Sequence, residues 1–530
     1  MIARAVRLAL LVPALAAAAA AHEDFTVSGA FLYADKAWDW NGWTGDWQEL
    51  PIRGADVLVL DAQDGQVLGR GLTSAEGDFA VACHGKGLHD LVVRVEASNR
   101  FREPGASPRL VVLDDAGARW SAESPVFQAH DVAVDLDAGT TTVEPVLAAG
   151  SEGNPFNVFD LAVSGWEHLS AATGAEPHGP LRLQWPSWTG SWAWSRTAHI
   201  ADDDGYDDAV ILHEFGHLVH NTWSDSDSPG GMHWFGDSDQ DPRLSLAEGY
   251  ATFFGGSVLS SLARPALYVD CVGSAAQGGV QLRLDLETLA PYAASSEGSA
   301  DEVAVACALH DVLDDESAAD DAPGTDDDPF DAALLIGGQS HDEAWWQVFT
   351  GPVRHAYRGT LNSVWDGWSA AHGADGWDEL REIFDAHGMR FWNDACEPDG
   401  APELATPLVV GPDFSPEHTL YFAASQPAKS GTGDEDWFAV ELSAGQVVRF
   451  ETRYPGGASD ARTQADTHLV LLDPLGHKAA FDEDGGTGRN ARIDAFVADT
   501  TGTWRFKVES LDRLHRYGRY EVRVSLISSN

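Results

Sequence analysis

Basic residues are scarce: 33 Lys and Arg stand against 83 Asp and Glu, a formal charge of −50 over 530 residues. Binding along a phosphate backbone needs a basic footprint, so nucleic acid is excluded as an expected partner. Most of the carboxylates read as a solvated surface that suits solubility, salty surroundings or bound divalent cations. Cysteine is also sparse, with Cys83, Cys271, Cys307 and Cys396 at spacings that are not metal-like. In an exported chain they allow one or two disulfides, with three pairings open for two bridges and Cys271–Cys307 preferred. Beyond the N-terminal segment no apolar run reaches membrane-spanning length, and no cysteine sits where a lipid would be attached, so neither a membrane span nor a lipid anchor is expected.

The N-terminal segment has its own pattern. Arg4 and Arg7 precede an apolar run from Leu8 to Ala20, and Ala19-Ala-Ala21 stands before His22. This reads as a secretory signal peptide over 1–21, so a secreted, extracellular protein is expected, starting near His22.

Residues 22–148 carry short alternating runs broken by Gly and Asp, such as Ala55-Asp-Val-Leu-Val-Leu60 and Phe79-Ala-Val-Ala82. That texture predicts an antiparallel sandwich. Trp38, Trp40, Trp43 and Trp47 read as sandwich packing, with a sugar-binding or peptide-binding aromatic patch as the alternative. From 149 the spacing turns helical, as in Phe156 to Leu169, and Trp192 to Ile200 alternates like one strand. After 396 strands recur at regular intervals to residue 530, predicting a second all-β sandwich over 397–530.

The chemistry is concentrated in Asp208-Ala-Val-Ile-Leu-His213-Glu214-Phe-Gly-His217-Leu-Val-His220. Histidines four apart on a helix lie one above the other, at a separation that suits one Zn²⁺, with Glu214 beside them as a base. H-E-x-x-H occurs by composition in roughly one in twenty chains of this length, so context must decide. Here Val210, Ile211, Leu212, Phe215, Leu218 and Val219 predict a buried helix, and Asp207 and Asp208 sit where acids cap it. A catalytic zinc needs a third protein ligand. Glu248, 248 − 217 = 31 positions after His217 in Leu244-Ser-Leu-Ala-Glu-Gly-Tyr-Ala, is the candidate, with small Gly249 and Ala251 permitting close helix approach. His220, one turn below His217, reads as a packed residue, with an outer-shell partner of the ligands as the alternative.

This pattern resembles the gluzincin metallopeptidases, and with Gly230-Gly231-Met-His233 and Asp241-Pro-Arg-Leu-Ser-Leu-Ala-Glu the likeness to secreted bacterial zincins covers about 155–390. The metzincin pattern would ask for Gly at 220 and His at 223, where the chain has His220 and Trp223. The resemblance implies a multidomain chain with an α+β zincin-like catalytic domain over 149–396, flanked by two all-β sandwich domains. It implies Zn²⁺ on His213, His217 and Glu248, Glu214 as general base, and His310, or else Tyr292, near the oxyanion. It also implies that an acidic residue four places after Glu248 would orient a ligand histidine, where this chain has Thr252. No Gly-x-Met-Glu-Asn strand is found, which favours an endopeptidase acting on protein or peptide substrates over an aminopeptidase. Pro51-Ile-Arg-Gly-Ala-Asp-Val-Leu-Val-Leu with Gly71-Leu-Thr-Ser-Ala-Glu-Gly resembles transthyretin-like or carboxypeptidase-regulatory-like domains. Asp434-Glu-Asp-Trp-Phe-Ala-Val and Thr501-Gly-Thr-Trp-Arg-Phe-Lys-Val resemble the bacterial pre-peptidase C-terminal domain. The rival reading is an exported adhesin or binding protein with an inactive zincin domain, and hydrolysis of a non-peptide ester or amide is a third. The acidic run 314–328 is a candidate for Ca²⁺, although its spacing is not that of an EF-hand.

Overall fold

The structure is a computed structural model, and it describes residues 22–86, 90–99, 109–128, 140–142, 146–148, 153–174, 179–238, 240–273, 279–313, 341–354, 359–373, 376–392, 394–420, 434–457, 465–510 and 518–527. The signal segment and the acidic run proposed for Ca²⁺ lie outside them.

The chain opens with two long strands, β1 (His22–Asp39) and β2 (Gly42–Pro51). In β3 (Asp56–Asp61) all six residues are buried, as expected of an apolar run covered on both faces. Around it lie β4 (Val67–Leu72), β5 (Asp78–Lys86) and β6 (Asp90–Glu96). Next come β7 (Ser98–Asn99) and β8 (Leu110–Leu113), then β9 (Ser121–Glu123), β10 (Phe127–Gln128), β11 (Thr140–Thr142) and β12 (Val146–Ala148). Ten of these form one sheet along β10-β6-β3-β4-β5-β1-β11, with β2 and β12 also on β1 and β9 on β6.

The helical region follows. It comprises α1 (Asn154–Thr173), β13 (Leu181–Ser187), β14 (Trp192–Trp194), β15 (Thr197–Ala201), α2 (Asp208–Trp223) and α3 (Pro242–Ser261). After these come β16 (Leu267–Val272), β17 (Gly279–Asp285), α4 (Glu302–Leu313), α5 (His341–Val348), α6 (Leu361–His372) and α7 (Trp377–Ala386). Its five-stranded sheet has the order β14-β15-β13-β8-β7, with β13 parallel to both β15 and β8 and β14 antiparallel at one edge. Strands β7 and β8 come from before residue 148, so the boundary expected at 148/149 runs through this sheet's strand supply. One continuous core accordingly joins Val27 and Phe31 to Phe156, Phe215 and Phe253.

The single strand expected over Trp192 to Ile200 is a hairpin, because Ser195 turns at φ 57°. The tryptophan run packs against the helical region. Trp38 Nε1 donates to Asp208 Oδ2 at 2.9 Å, Trp43 is buried beside Val269 and Cys271, and the Arg283 guanidinium lies over Trp40. All four cysteines are free, which corrects the expected Cys271–Cys307 bridge. Cys271 belongs to the small cluster around Trp43, whereas Cys307 is in the main core on α4.

The C-terminal region has a separate core containing Phe438, Trp504, Phe506 and Tyr520. Its strands are β18 (Thr406–Leu408), β19 (His418–Leu420), β20 (Glu435–Leu442), β21 (Val447–Arg453), β22 (Thr467–Leu472), β23 (Lys478–Asp482), β24 (Arg492–Val497), β25 (Gly502–Ser510) and β26 (Gly518–Leu526). They form two sheets, β18-β20-β25-β22-β23 and β19-β26-β21-β24. Alternation is clear in β25, where Trp504, Phe506 and Val508 are buried. The chain is thus multidomain and rich in sheet, and among the described residues its α-helices lie in the middle region. Among the described residues no helix is long and apolar enough to cross a membrane.

The join between the first sheet and α2 carries buried charge. Asp208 meets Arg264 at 2.5 Å, and nearby Asp35 is buried, with its carboxyl pushed up to about 8 by burial and then by the Asp208 charge. A carboxyl raised in the folded state binds more protons folded than unfolded, so stability falls as pH rises from about 4 to about 8. Asp35→Asn, which keeps the oxygen that accepts the Lys36 amide, is expected to match wild type in melting temperature near the low end and exceed it near the high end. An identical gap at both pH values, measured by thermal denaturation, would show that Asp35 ionisation is not responsible.

Candidate metal centre

Helix α2 buries an apolar face of Ile211, Leu212, Phe215, Leu218 and Val219, and this fixes which way its histidines point. Its first turn departs from expectation. Asp207 does not cap the helix with its side chain; instead its Oδ2 accepts the Cys271 amide at 2.5 Å, tying α2 to β16. Asp208 is held by Arg264, Trp38 and Asn157.

Helix α3 starts on a capped turn, where Asp241 accepts the Arg243 amide at 3.0 Å. It then crosses α2 at close range. A Cβ added at Gly216 would stand 2.9 Å from Ala251 Cα and 3.0 Å from its carbonyl oxygen. On the other side a Cβ at Gly249 would meet Val305 and the Glu302 carbonyl at 2.7 to 2.8 Å, so α4 is equally close. Small residues at these positions let Glu248 reach the α2 histidines.

The reach is complete. His213 Nε2 and His217 Nε2 lie 3.2 Å apart, and Glu248 Oε2 is 3.3 Å from the first and 3.0 Å from the second. A tetrahedral ion with bonds of about 2.0–2.1 Å sets its donors roughly 3.3 Å apart, so the three atoms fit one such ion. Glu214 is buried with Oε2 lacking any hydrogen bond among the described residues, an expensive state for a carboxylate without a further partner.

Thr252 occupies the place where the family resemblance implied an acid. Its Oγ1 is 3.0 Å from His213 Nδ1, so Nδ1–H can donate to the hydroxyl and leave the Nε2 lone pair for an ion. Electrostatics reinforce the grouping. Burial lowers His213 to about 4 and pushes Glu214 up to about 8. Burial would lower His217 as well, but the Glu248 charge and hydrogen bond outweigh it and raise the imidazole; in return the two histidines hold Glu248 well below the usual carboxylate range against its own burial.

Other predicted residues fall elsewhere. His310 is eight residues along α4 from Glu302, about 12 Å of helix, and its Nε2 is engaged by Glu287 Oε1 at 2.6 Å. The structure therefore does not bring His310 to the cluster. His220 is buried between Tyr250 and Phe349, the packed role expected of it. Tyr292 packs edge-on to Phe235, with ring centroids 5.8 Å apart.

Two residues that the spacing did not single out are beside the cluster. His233 Nε2 is 3.6 Å from Glu248 Oε2, and its Nδ1 is 3.4 Å from Glu302 Oε2. His233, Glu248 and Glu302 thus form a second donor group that shares Glu248 with the first. Glu302 is buried, and burial followed by the Glu248 charge pushes its carboxyl up to about 8. The sequence carried no separate signal for Glu302, because a carboxylate in the first turn of a helix is already favoured by the helix dipole. Tyr268 completes the surround, edge-on to His213 with ring centroids 5.6 Å apart.

No family model matches the chain, and no curated protein matches it. Among solved structures there is similarity to the pre-peptidase C-terminal domain of collagenase from Bacillus anthracis, at 17% identity over 23% of this chain and 93% of that one, with a TM-score of 0.16. A 9R-lipoxygenase from Cyanothece PCC8801 is similar at 15% identity, over 29% of this chain and 25% of that one, with a TM-score of 0.15. The periplasmic lysozyme inhibitor PliG of Aeromonas hydrophila is similar at 11% identity, over 23% and 99%, with a TM-score of 0.13. At such TM-scores these likenesses carry no argument about fold or activity, and the reading of the site rests on its geometry.

Thr252→Val keeps the side-chain shape and removes the hydroxyl. It is expected to leave the fold intact and weaken affinity for a divalent transition metal by about 10–100-fold, measured by chelator competition. Unchanged affinity would remove Thr252 from the support of His213.

Proposed function

We propose that the chain is an exported zinc-dependent metallopeptidase that cleaves within protein or peptide substrates. The observation that carries this reading is the convergence of His213 Nε2, His217 Nε2 and Glu248 Oε2 to within 3.3 Å of one another, with the unbonded Glu214 Oε2 alongside. When bound there, Zn²⁺ supplies Lewis-acid polarisation of a carbonyl and a water of lowered pKa.

The chain's own residues account for the rest. Glu214 takes the proton of the attacking water and delivers it to the leaving amine, completing hydrolysis of the C–N bond. His233 replaces His310 as the residue we assign to the substrate carbonyl oxygen. Its ring is partly exposed, and with Nδ1–H directed at Glu302 its Nε2 can donate a hydrogen bond when protonated. Strand β14, antiparallel at the sheet edge, offers an unpaired backbone edge on which an extended peptide can lie by strand addition.

Glu214→Gln is expected to bind zinc as wild type does while casein hydrolysis falls by about 10²–10⁴-fold. Hydrolysis at the wild-type rate would sink the mechanism. His233→Ala is expected to lower kcat more than it alters KM, whereas a gain in activity would mark His233 as a fourth ligand that closes the site.

A further inference from the structure

A second cluster lies far along the chain from the first, where the segment after α7 meets the C-terminal sandwich. Asp394 and Cys396 come from that segment and His418 from β19, and one donor atom of each lies within 4.8 Å of the other two. The feature that demands explanation is His418. It is 1% exposed, yet among the described residues neither ring nitrogen makes a hydrogen bond, and Nδ1 faces Asp394 Oδ2 across 3.5 Å. Its ring is wedged between Phe438 and Tyr520, which hold it in place. An imidazole fixed in a buried site with both nitrogens unbonded is costly and calls for a further partner, and histidine is the side chain that most often ligates a metal ion.

The other two residues are positioned as ligands would be. Asp394 Oδ1 accepts the Cys396 amide at 2.7 Å and Oδ2 accepts the Thr419 amide at 2.8 Å, which orients the carboxylate and leaves lone pairs on both oxygens. Cys396 is unbridged and less buried than the other three cysteines.

The geometry points to a structural transition-metal site of the Zn²⁺ class, held by Asp394, Cys396 and His418, that staples the linker to strand β19. Thiolate and imidazole select a borderline or soft ion, so this set is not suited to Ca²⁺ or Mg²⁺. On binding, Cys396 loses its thiol proton to solvent and the ion links residues on both sides of the domain junction.

The test uses Co²⁺ with the reduced full-length protein, because a thiolate ligand gives a near-ultraviolet charge-transfer band that His213, His217 and Glu248 cannot produce. One cobalt per chain with this band is expected. The band should vanish in Cys396→Ser and His418→Gln and persist in His213→Ala, so it stands or falls apart from the peptidase reading. In wild type alone, Zn²⁺ should slow alkylation of Cys396, and a chelator should restore it, which covers the case of a variant that fails to fold. A wild-type protein without the band at saturating Co²⁺, a band that survives Cys396→Ser, or Cys396 alkylation indifferent to Zn²⁺ would overturn the proposal.

Discussion

Two helices can present a carboxylate and a pair of imidazoles to one point only if their backbones approach closely, and here Gly216 facing Ala251 sets that approach. Everything else at the site follows from it. Glu248 reaches across to His213 and His217, Thr252 comes within 3.0 Å of His213 one turn further along α3, and Gly249 on the opposite face admits α4 with Glu302. A larger residue at either glycine would push the helices apart and dissolve the donor set. The same packing buries Glu214, which raises its carboxyl.

Contacts at the start of α2 and ahead of α4 show how the surrounding domains hold this arrangement. At the start, Asp207 binds the β16 backbone and Asp208 joins Arg264 to Trp38 of the first strand, so the N-terminal sheet and the helical region share a core. On the far side, Glu297 ahead of α4 meets Arg519 at 3.1 Å and Tyr454 at 3.3 Å on the C-terminal sandwich. The flanking β regions are thereby fastened to the elements that carry the site.

Legibility in the sequence tracked locality. The grouping of His213 and His217 depends on helical spacing alone and was readable, as were α1, the start of α4 and the alternating strands of the C-terminal sandwich. Glu248 was readable because its own helix was strongly apolar. The role of Thr252 was not, because a hydroxyl can replace a carboxylate only when the helices are near enough, which spacing does not reveal. His310 was proposed from distance along the chain. The fold turns that stretch of α4 toward Glu287, while His233, carried on an irregular glycine-rich segment with no periodicity to read, arrives beside Glu248. The contribution of β7 and β8 to the later sheet was likewise invisible, since parallel pairing joins strands distant in sequence.

The central claim is that His213, His217 and Glu248 hold one catalytic zinc. It is tested most directly by counting zinc per chain in wild type and Glu248→Ala, with casein hydrolysis followed in both, with and without a chelator. The account predicts that Glu248→Ala loses one equivalent of zinc together with cleavage, and that the chelator abolishes wild-type cleavage. Equal zinc in the two proteins, or cleavage that survives the chelator, would contradict it.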